Sequence, residues 1–526
     1  MPSREPRRPQ PSESQPGQGP QSQRPVRKHT SVRPRDLSSK PAAVPDAPQE
    51  RHPRTGHSKA AAPTGRAARE KPQLEIGEIR RLTLEAMTAE GECVAHLGSF
   101  VVFVAEGIPG EFVDVAITSI GRDFARARVV KAAEKSQHRV TPRCKHFGVC
   151  GGCLWQQMDY SEQLFHKDKL LRLALEHRLE KLNFPIRPML GSPSEWGTRS
   201  KIFYQLAALE MGKSQKVVMG HNRFHSPIIE PIKDCPVHHH GGDEIARLVF
   251  HEITARGIPI ATPNATRDGL KSILVRASRS TGKAHVVLVG TGPYIAKADG
   301  FETQLMKLKN VEGVHLNIQP DPASTYLGPE TKHLAGATRL TETIAGVDFQ
   351  ISPDAFFQTN TAAAEKLCEV VLRAVADKAC DPILDLYSGG GLLSLPLAKR
   401  GRRVVAVEEN KRSIEDGIET ARVNKITTCE FVQSRVESFI KKLPRTQKFH
   451  TIILDPPREG CAEWLMRLIG RGLRPKRIVY VSCNPQALAG DLAGLTQSGY
   501  RIDEIQPIDM FPHTAHIESV AILSRK

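Results

Sequence analysis

Ile383-Leu384-Asp385-Leu386-Tyr387-Ser388-Gly389-Gly390-Gly391 joins a short apolar run to a glycine-rich turn. The run has the length and composition of a strand buried on both faces. Residues 392–400 continue as a helix-compatible stretch. Similar apolar runs recur at 404–407, 451–454 and 478–482, each separated by helix-compatible sequence. Strand-helix-strand repetition predicts an α/β domain over residues 345–526, Rossmann-like and built on a mostly parallel, doubly wound sheet. Residues 500–510 and 517–523 read as a closing antiparallel pair.

Working outward, the chain divides. Residues 1–72 hold 14 of the 38 prolines, with 15 Lys/Arg against 6 Asp/Glu, and read as a disordered basic tail. From Leu74 short β-patterned runs alternate with Gly/Pro turns, which predicts an OB-like β-barrel over 73–134. Residues 135–344 are a mixed α+β region. It has helical apolar spacing at 164–182 and strand-like runs at 200–209, 217–220, 271–277, 284–290 and 314–318. The 526 residues carry a net charge of +17. Removing the tail's +9 leaves +8 on the other 454 residues, so the folded part is itself moderately basic and favours a polyanionic partner such as RNA. No apolar run of about 18 residues marks a membrane span. No secretory h-region stands at the start, and ten scattered cysteines do not make a disulfide framework. A cytoplasmic monomer is expected.

Glycines at the start of a helix let the backbone approach a ligand. A dinucleotide turn wants G-x-G-x-x-G/A, and Ser394 stands at the third position. Strand, acidic residue and Gly389/Gly391 turn fit an S-adenosylmethionine (SAM) site better. Glu408, ending the next strand, is placed where a carboxylate accepts ribose hydroxyls.

Two strand ends carry reactive groups. Val479-Tyr-Val-Ser-Cys483-Asn-Pro485 and Leu454-Asp455-Pro-Pro-Arg458 each close an apolar run. A cysteine at a strand end opens into the ligand crevice, although Cys483 alone reads equally as a buried structural residue. A thiol beside a SAM site suits methylation of an unactivated pyrimidine C5: attack at C6 makes C5 nucleophilic, and a base then removes the C5 proton. Glu518 is the candidate base.

Cys144-x5-Cys150-Gly-Gly-Cys153 is a compact loop cluster, and Cys235 is a plausible fourth ligand. Four thiolates suit zinc or an iron–sulfur cluster. The spacing matches neither the paired C-x2-C of zinc ribbons nor C-x3-C-x2-C. His238–His240 read as an exposed polar loop.

These residues resemble the RNA uracil-5-methyltransferase family, in particular its iron–sulfur branch that modifies 23S rRNA. The resemblance spans roughly residues 74–526. It implies that the barrel is a TRAM domain and that Cys144, Cys150, Cys153 and Cys235 hold a [4Fe-4S] cluster. It further implies that Gln358, Tyr387, Glu408 and Asp455 meet SAM, with Phe356 and Arg458 at the target base. Ser482-Cys483-Asn-Pro matches the nucleophile motif, and His513-Thr-Ala-His-Ile-Glu518 the base motif. Ser388, Leu392 and Arg435 depart from residues common in the family at the cofactor turn. The alternatives are a tRNA enzyme of the same family, an adenine-N6 amino-methyltransferase (Asp455-Pro-Pro, though Arg458 replaces its aromatic) and a non-catalytic RNA-binding protein.

Overall fold

The computed structural model describes residues 72–179, 181–211, 214–262, 268–321, 324–444 and 446–526; the tail expected at 1–72 lies outside them save Pro72. The first strands are β1 (Ile79–Thr83), β2 (Ala86–Met87), β3 (Cys93–Leu97), β4 (Phe100–Ala105), β5 (Phe112–Ile120) and β6 (Phe124–Glu134). They form one sheet in the order β1-β5-β6-β4-β3-β2. Period-two alternation sends Val102, Val104, Val113, Val115 and Ala125 fully inward.

Helix α1 (Tyr160–Arg178) follows, capped by Asp159, whose carboxylate accepts the Glu162 N–H. It starts four residues before the expected 164. Its first turns bury Gln163, His166 and Lys167 rather than apolar side chains, so hydrophobic spacing does not reveal them. The central sheet comprises β7 (Lys201–Met211), β8 (Ser214–Asn222), β9 (Ile229–Pro231), β10 (Leu270–Ala277), β11 (Ala284–Gly290), β12 (Val311–Ile318) and β13 (Glu330–Gly336). Its order is β13-β12-β11-β10-β7-β8-β9, with only the β11–β12 pair parallel. Helices α2 (His240–Arg256) and α3 (Phe301–Leu305) bury their apolar side chains in one cluster with β7, β10 and β11. His238 is not in an exposed loop: it is 4% exposed, and its ring meets the Asp243 carboxylate at 3.0 Å. His239 caps α2.

A hairpin, β14 (Leu340–Ile344) and β15 (Val347–Ile351), and helix α4 (Thr361–Ala374) lead into the last domain. There β16 (Ile383–Leu386), β17 (Val404–Glu408), β18 (Cys429–Gln433), β19 (Thr451–Leu454) and β20 (Arg477–Ser482) run parallel. Between them lie α5 (Ser394–Lys399), α6 (Lys411–Val423), α7 (Val436–Lys442) and α8 (Glu463–Arg467). Helix α9 (Pro485–Gln497) precedes β21 (Tyr500–Ile508) and β22 (Glu518–Arg525). The order is β18-β17-β16-β19-β20-β22-β21, and β22 is antiparallel to both neighbours. Apolar clusters lie on both faces of this sheet, as a parallel sheet requires.

Candidate active site

The parallel strands all deliver their C-terminal ends to one edge of the sheet. Tyr387, following β16, has φ +63°, a conformation L-residues rarely adopt, and it turns the chain sharply there. Gly391 also has positive φ, and a Cβ there would sit 3.0 Å from Leu395 and Phe431, so the turn needs glycine. The Glu408 carboxylate accepts the Gly389 N–H at 3.0 Å and the Asn410 N–H at 2.8 Å, which locks this turn against the end of β17. A cavity of about 220 Å³ opens beside it, lined by Tyr387, Glu408, Glu409, Arg435, Glu437 and Pro457. The departing residue Arg435 is thus part of the wall. Its guanidinium lies 3.8 Å from Glu409 and 3.7 Å from Glu437. The carboxylate-lined pocket on a glycine turn fits SAM, whose ribose hydroxyls are donors. Asp385 is fully buried beneath it, bonded to Ser394, and burial pushes its carboxyl up to about 7.

A second cavity, about 940 Å³, holds Cys483, Asn484, Arg458 and Thr359 on one side. Glu90 of the barrel and Gly152-Cys153 of the cysteine loop complete it. Cys483 follows β20 directly. Ser482 oxygen and the Asn484 N–H pair at 3.2 Å, and Asn484 caps α9 while donating to the Arg458 carbonyl at 2.8 Å. These bonds fix the turn that presents the thiol. Burial, then the Glu518 and Asp455 carboxylates, push that thiol up to about 11, and the Arg458 guanidinium opposes them. Glu518 opens β22 and is 3% exposed, with one carboxyl oxygen making no hydrogen bond among the described residues. Burial and the Asp455 charge raise its pKa well above the ordinary carboxylate value. Burial likewise takes Asp455 to about 7. A buried carboxyl (Glu518), a partly buried one (Asp455) and a thiol of raised pKa, each near enough for the carboxylate charges to act on the thiol, are an acid–base arrangement rather than a packing one.

Other expected site residues fall elsewhere. Gln358 is buried and Phe356 is 72% exposed; neither lines the Cys483 cavity, where Thr359 does. The exposed ring of Phe356 leaves a face free for stacking.

Hydrophobic patterning misses the clamp that holds the segment 509–517 before Glu518. Lys167 and Asp509, both fully buried, meet at 2.6 Å, and Lys167 also donates to the Phe511 carbonyl. Tyr160 donates to Asp509 at 2.8 Å. Gln163 accepts the His513 N–H at 2.8 Å, and the His513 ring lies on Trp196, centroids 3.9 Å apart. The Leu154 and Trp155 N–H groups both donate to the His513 carbonyl, at 3.0 and 3.1 Å. The cysteine loop is therefore hydrogen-bonded to the base segment.

Cys144, Cys150, Cys153 and Cys235 converge on one small cavity, also lined by Arg199 and Gln156. All four are free thiols. Backbone N–H groups face the sulfurs: Gly152 to Cys150 at 3.4 Å, His146 and Phe147 to Cys144, and Val237 to Cys235. A single tetrahedral zinc at a Zn–S distance of 2.3 Å would need sulfurs about 3.8 Å apart. Among the described residues, the trio of candidate metal ligands with donor atoms within 4.8 Å of one another is His221, Cys235 and His238, not a set of three cysteines. The four-thiol set is thus too open for one ion; its spread and N–H···S bonds would suit a multinuclear cluster.

The fold and the cofactor turn define a SAM-dependent methyltransferase joined to a nucleic-acid-binding barrel. The profile of the tRNA (Uracil-5-)-methyltransferase family matches residues 340–526, and that of the TRAM domain residues 73–130. An uncharacterized RNA methyltransferase of Caldanaerobacter subterraneus is 32% identical over 86% of this chain and 99% of its own length. Another, from Gloeobacter violaceus, is 33% identical over 85% and 97%. The crystal structure of Pyrococcus abyssi tRNA (uracil-54, C5)-methyltransferase with S-adenosyl-L-homocysteine superposes with TM-score 0.66 at 26% identity, covering 84% of this chain and 99% of that one. The chain belongs to the RNA uracil-5-methyltransferase family, and it is a SAM-dependent RNA methyltransferase carrying a TRAM domain.

Proposed function

We propose that this enzyme methylates C5 of a uridine in 23S rRNA, in the cytoplasm, through a covalent bond from Cys483 to C6. The observation that carries the reading is the meeting of Cys483 with the buried, incompletely bonded Glu518 carboxyl at one sheet edge. SAM supplies the methyl group. The target base leaves its stack at a cost of a few kcal/mol and enters the cavity. The Cys483 sulfur, as thiolate, adds to C6, and the electron pair of the C5–C6 double bond moves to C5, which takes the methyl. Arg458, the cation facing the sulfur, favours the thiolate. Glu518 then takes the C5 proton, the double bond re-forms, and the C6–S bond breaks to return the thiolate. Asp455 and Gln358 orient base and cofactor, Tyr387, Glu408 and the Gly389/Gly391 turn hold the cofactor, and Phe356 stacks on RNA.

The four cysteines support the 23S branch, and a [4Fe-4S] cluster held by them would act as a cross-link rather than an electron carrier. The likeness to the Pyrococcus abyssi tRNA enzyme favours tRNA as the second reading. 5-Fluorouridine cannot lose a C5 proton, so a 23S rRNA fragment carrying it should form a stable adduct with the wild type and none with Cys483→Ala. Methyl transfer retained by Cys483→Ala would sink the mechanism. Adduct formation on tRNA alone would transfer the assignment to tRNA.

A further inference from the structure

Outside the active cavity the turn between β8 and β9 carries Asn222, Arg223, Phe224, His225 and Ser226. It is pinned to the cysteine loop by backbone bonds: Gly151 N–H to Asn222 at 3.0 Å and Phe224 N–H to Val149 at 2.9 Å. A cavity of about 430 Å³ lies against it, and its wall includes Arg199, Arg223, Asn222, Phe224 and His225; the Arg223 guanidinium is held in place by Glu230 at 3.0 Å. Gly151, Gly152 and Arg199 are common to this cavity and to the one holding Cys483, so the two share a wall. The Phe224 and His225 rings lie 3.9 Å apart at 45°, forming a faceted aromatic surface, and His225 is held at φ +51°. Strain of that kind at a non-glycine residue persists only where surrounding bonds impose it. Arg126 of the barrel acts electrostatically on His225 and packs over the Phe103 and Phe124 rings. Aromatic and cationic groups therefore alternate from barrel to turn, which is the composition that binds single-stranded nucleic acid by stacking and charge.

We infer that this cavity is a subsite for a second, unmodified nucleotide of the same RNA strand, its base against Phe224 and His225 and its phosphate toward Arg199 and Arg223. The inference rests on the RNA-methylation reading. Cavities with a common wall suit neighbouring nucleotides of one chain, and a base seated here would brace the strand while the target uridine is extruded. Stacking is tolerant of base identity, so the subsite would strengthen binding without setting sequence.

The test uses fluorescein-labelled decauridylate and fluorescence anisotropy, with every variant built on Cys483→Ser so that no step of catalysis enters. Phe224→Ala should weaken binding about 5- to 150-fold, the range of one lost base–aromatic stack. Phe224→Tyr should restore it. Phe224→Leu, which keeps apolar bulk and guards against a folding defect, should remain weak. Affinity within twofold of the parent for both Phe224→Ala and Phe224→Leu would overturn the subsite. Loss confined to Arg199→Gln and Arg223→Gln would also overturn it, in favour of a bare phosphate contact. Failure of methyl transfer in the wild type would instead count against the catalytic reading and leave these affinities interpretable.

Discussion

Lys167→Met is the most informative single change outside the cavity. Lys167 and Asp509 are fully buried, and 342 residues of chain separate them. The substitution leaves the Asp509 carboxylate without its cation, though Tyr160 at 2.8 Å and the Phe511 N–H at 2.9 Å still donate to it. Breaking a buried pair from one side costs about 3–5 kcal/mol, and the two surviving donors place this case near the lower end. Lys167→Met/Asp509→Asn removes the stranded charge and keeps one oxygen for the Phe511 N–H, while the Tyr160 hydroxyl can turn to accept from the new amide NH2. Its cost should approach that of one hydrogen bond, about 1 kcal/mol. The double variant is therefore expected to be more stable than the single one by about 2 kcal/mol. Urea unfolding followed by tryptophan emission reads this locally, since Trp155 is buried 6.0 Å from the ammonium and Trp196 lies on His513. The same clamp sets the segment that leads to Glu518, so Lys167→Met should slow release of the methylated adduct more than its formation. A single variant as stable as the double would refute the clamp, as would equal slowing of both steps.

Three other outcomes follow from the same geometry. Glu518, whose carboxyl burial and the Asp455 charge raise well above the ordinary value, must ionise before it can accept the C5 proton, so turnover should fall about tenfold per pH unit on the acid side, with a midpoint above the usual carboxylate range. For stability the sign is the reverse: carboxyls with raised folded pKa stabilise fully below the unfolded value near 4, and this contribution is lost as pH rises toward 7. Asp455→Asn should flatten that loss in thermal melts taken across pH. Gly220→Ala would put a Cβ 1.8 Å from the Glu230 carbonyl oxygen, a backbone atom that cannot yield, and should cost about 1–3 kcal/mol in denaturation while weakening decauridylate binding. Cys153→Ser should abolish the absorbance expected of the proposed cluster and, because Leu154 and Trp155 donate to His513, speed amide exchange of those two residues by about tenfold or more.

Strands buried on both faces are legible: the run at 451–454 coincides with β19, and that at 284–290 with β11. Strand β13 escaped notice because Glu330–Gly336 is largely exposed and has no apolar face to read. The first turns of α1 escaped for the opposite reason. Gln163 and Lys167 are buried polar residues whose partners, His513 and Asp509, lie more than 300 positions away. His238 looked like loop surface for want of Asp243 and Tyr204, which the fold brings to it. The cofactor turn was readable from its glycines, but the two N–H donors already on Glu408 were not.

The pairing of thiol and carboxylate depends on the direction of one strand. Strand β20 ends at Ser482, and in the antiparallel ladder Ser482 faces Ser519. Cys483 and Glu518 are the next residues outward on each side, so continuing that register sets them opposite one another. Had β22 run parallel to β20, Glu518 would lie at the far edge, six residues or about 20 Å away at 3.3 Å per residue. The closing antiparallel pair expected from residues 500–510 and 517–523 therefore carries chemical as well as topological content. It returns the chain end to the edge where the parallel strands open. The segment making that return, 509–517, is also the one held by α1 and by the cysteine loop. A slip of one residue between β20 and β22 would turn the Glu518 side chain to the other face of the sheet while every apolar pair in the ladder shifted with it, so the core that buries Val479, Val481, Val520 and Ile522 also fixes the base against the nucleophile.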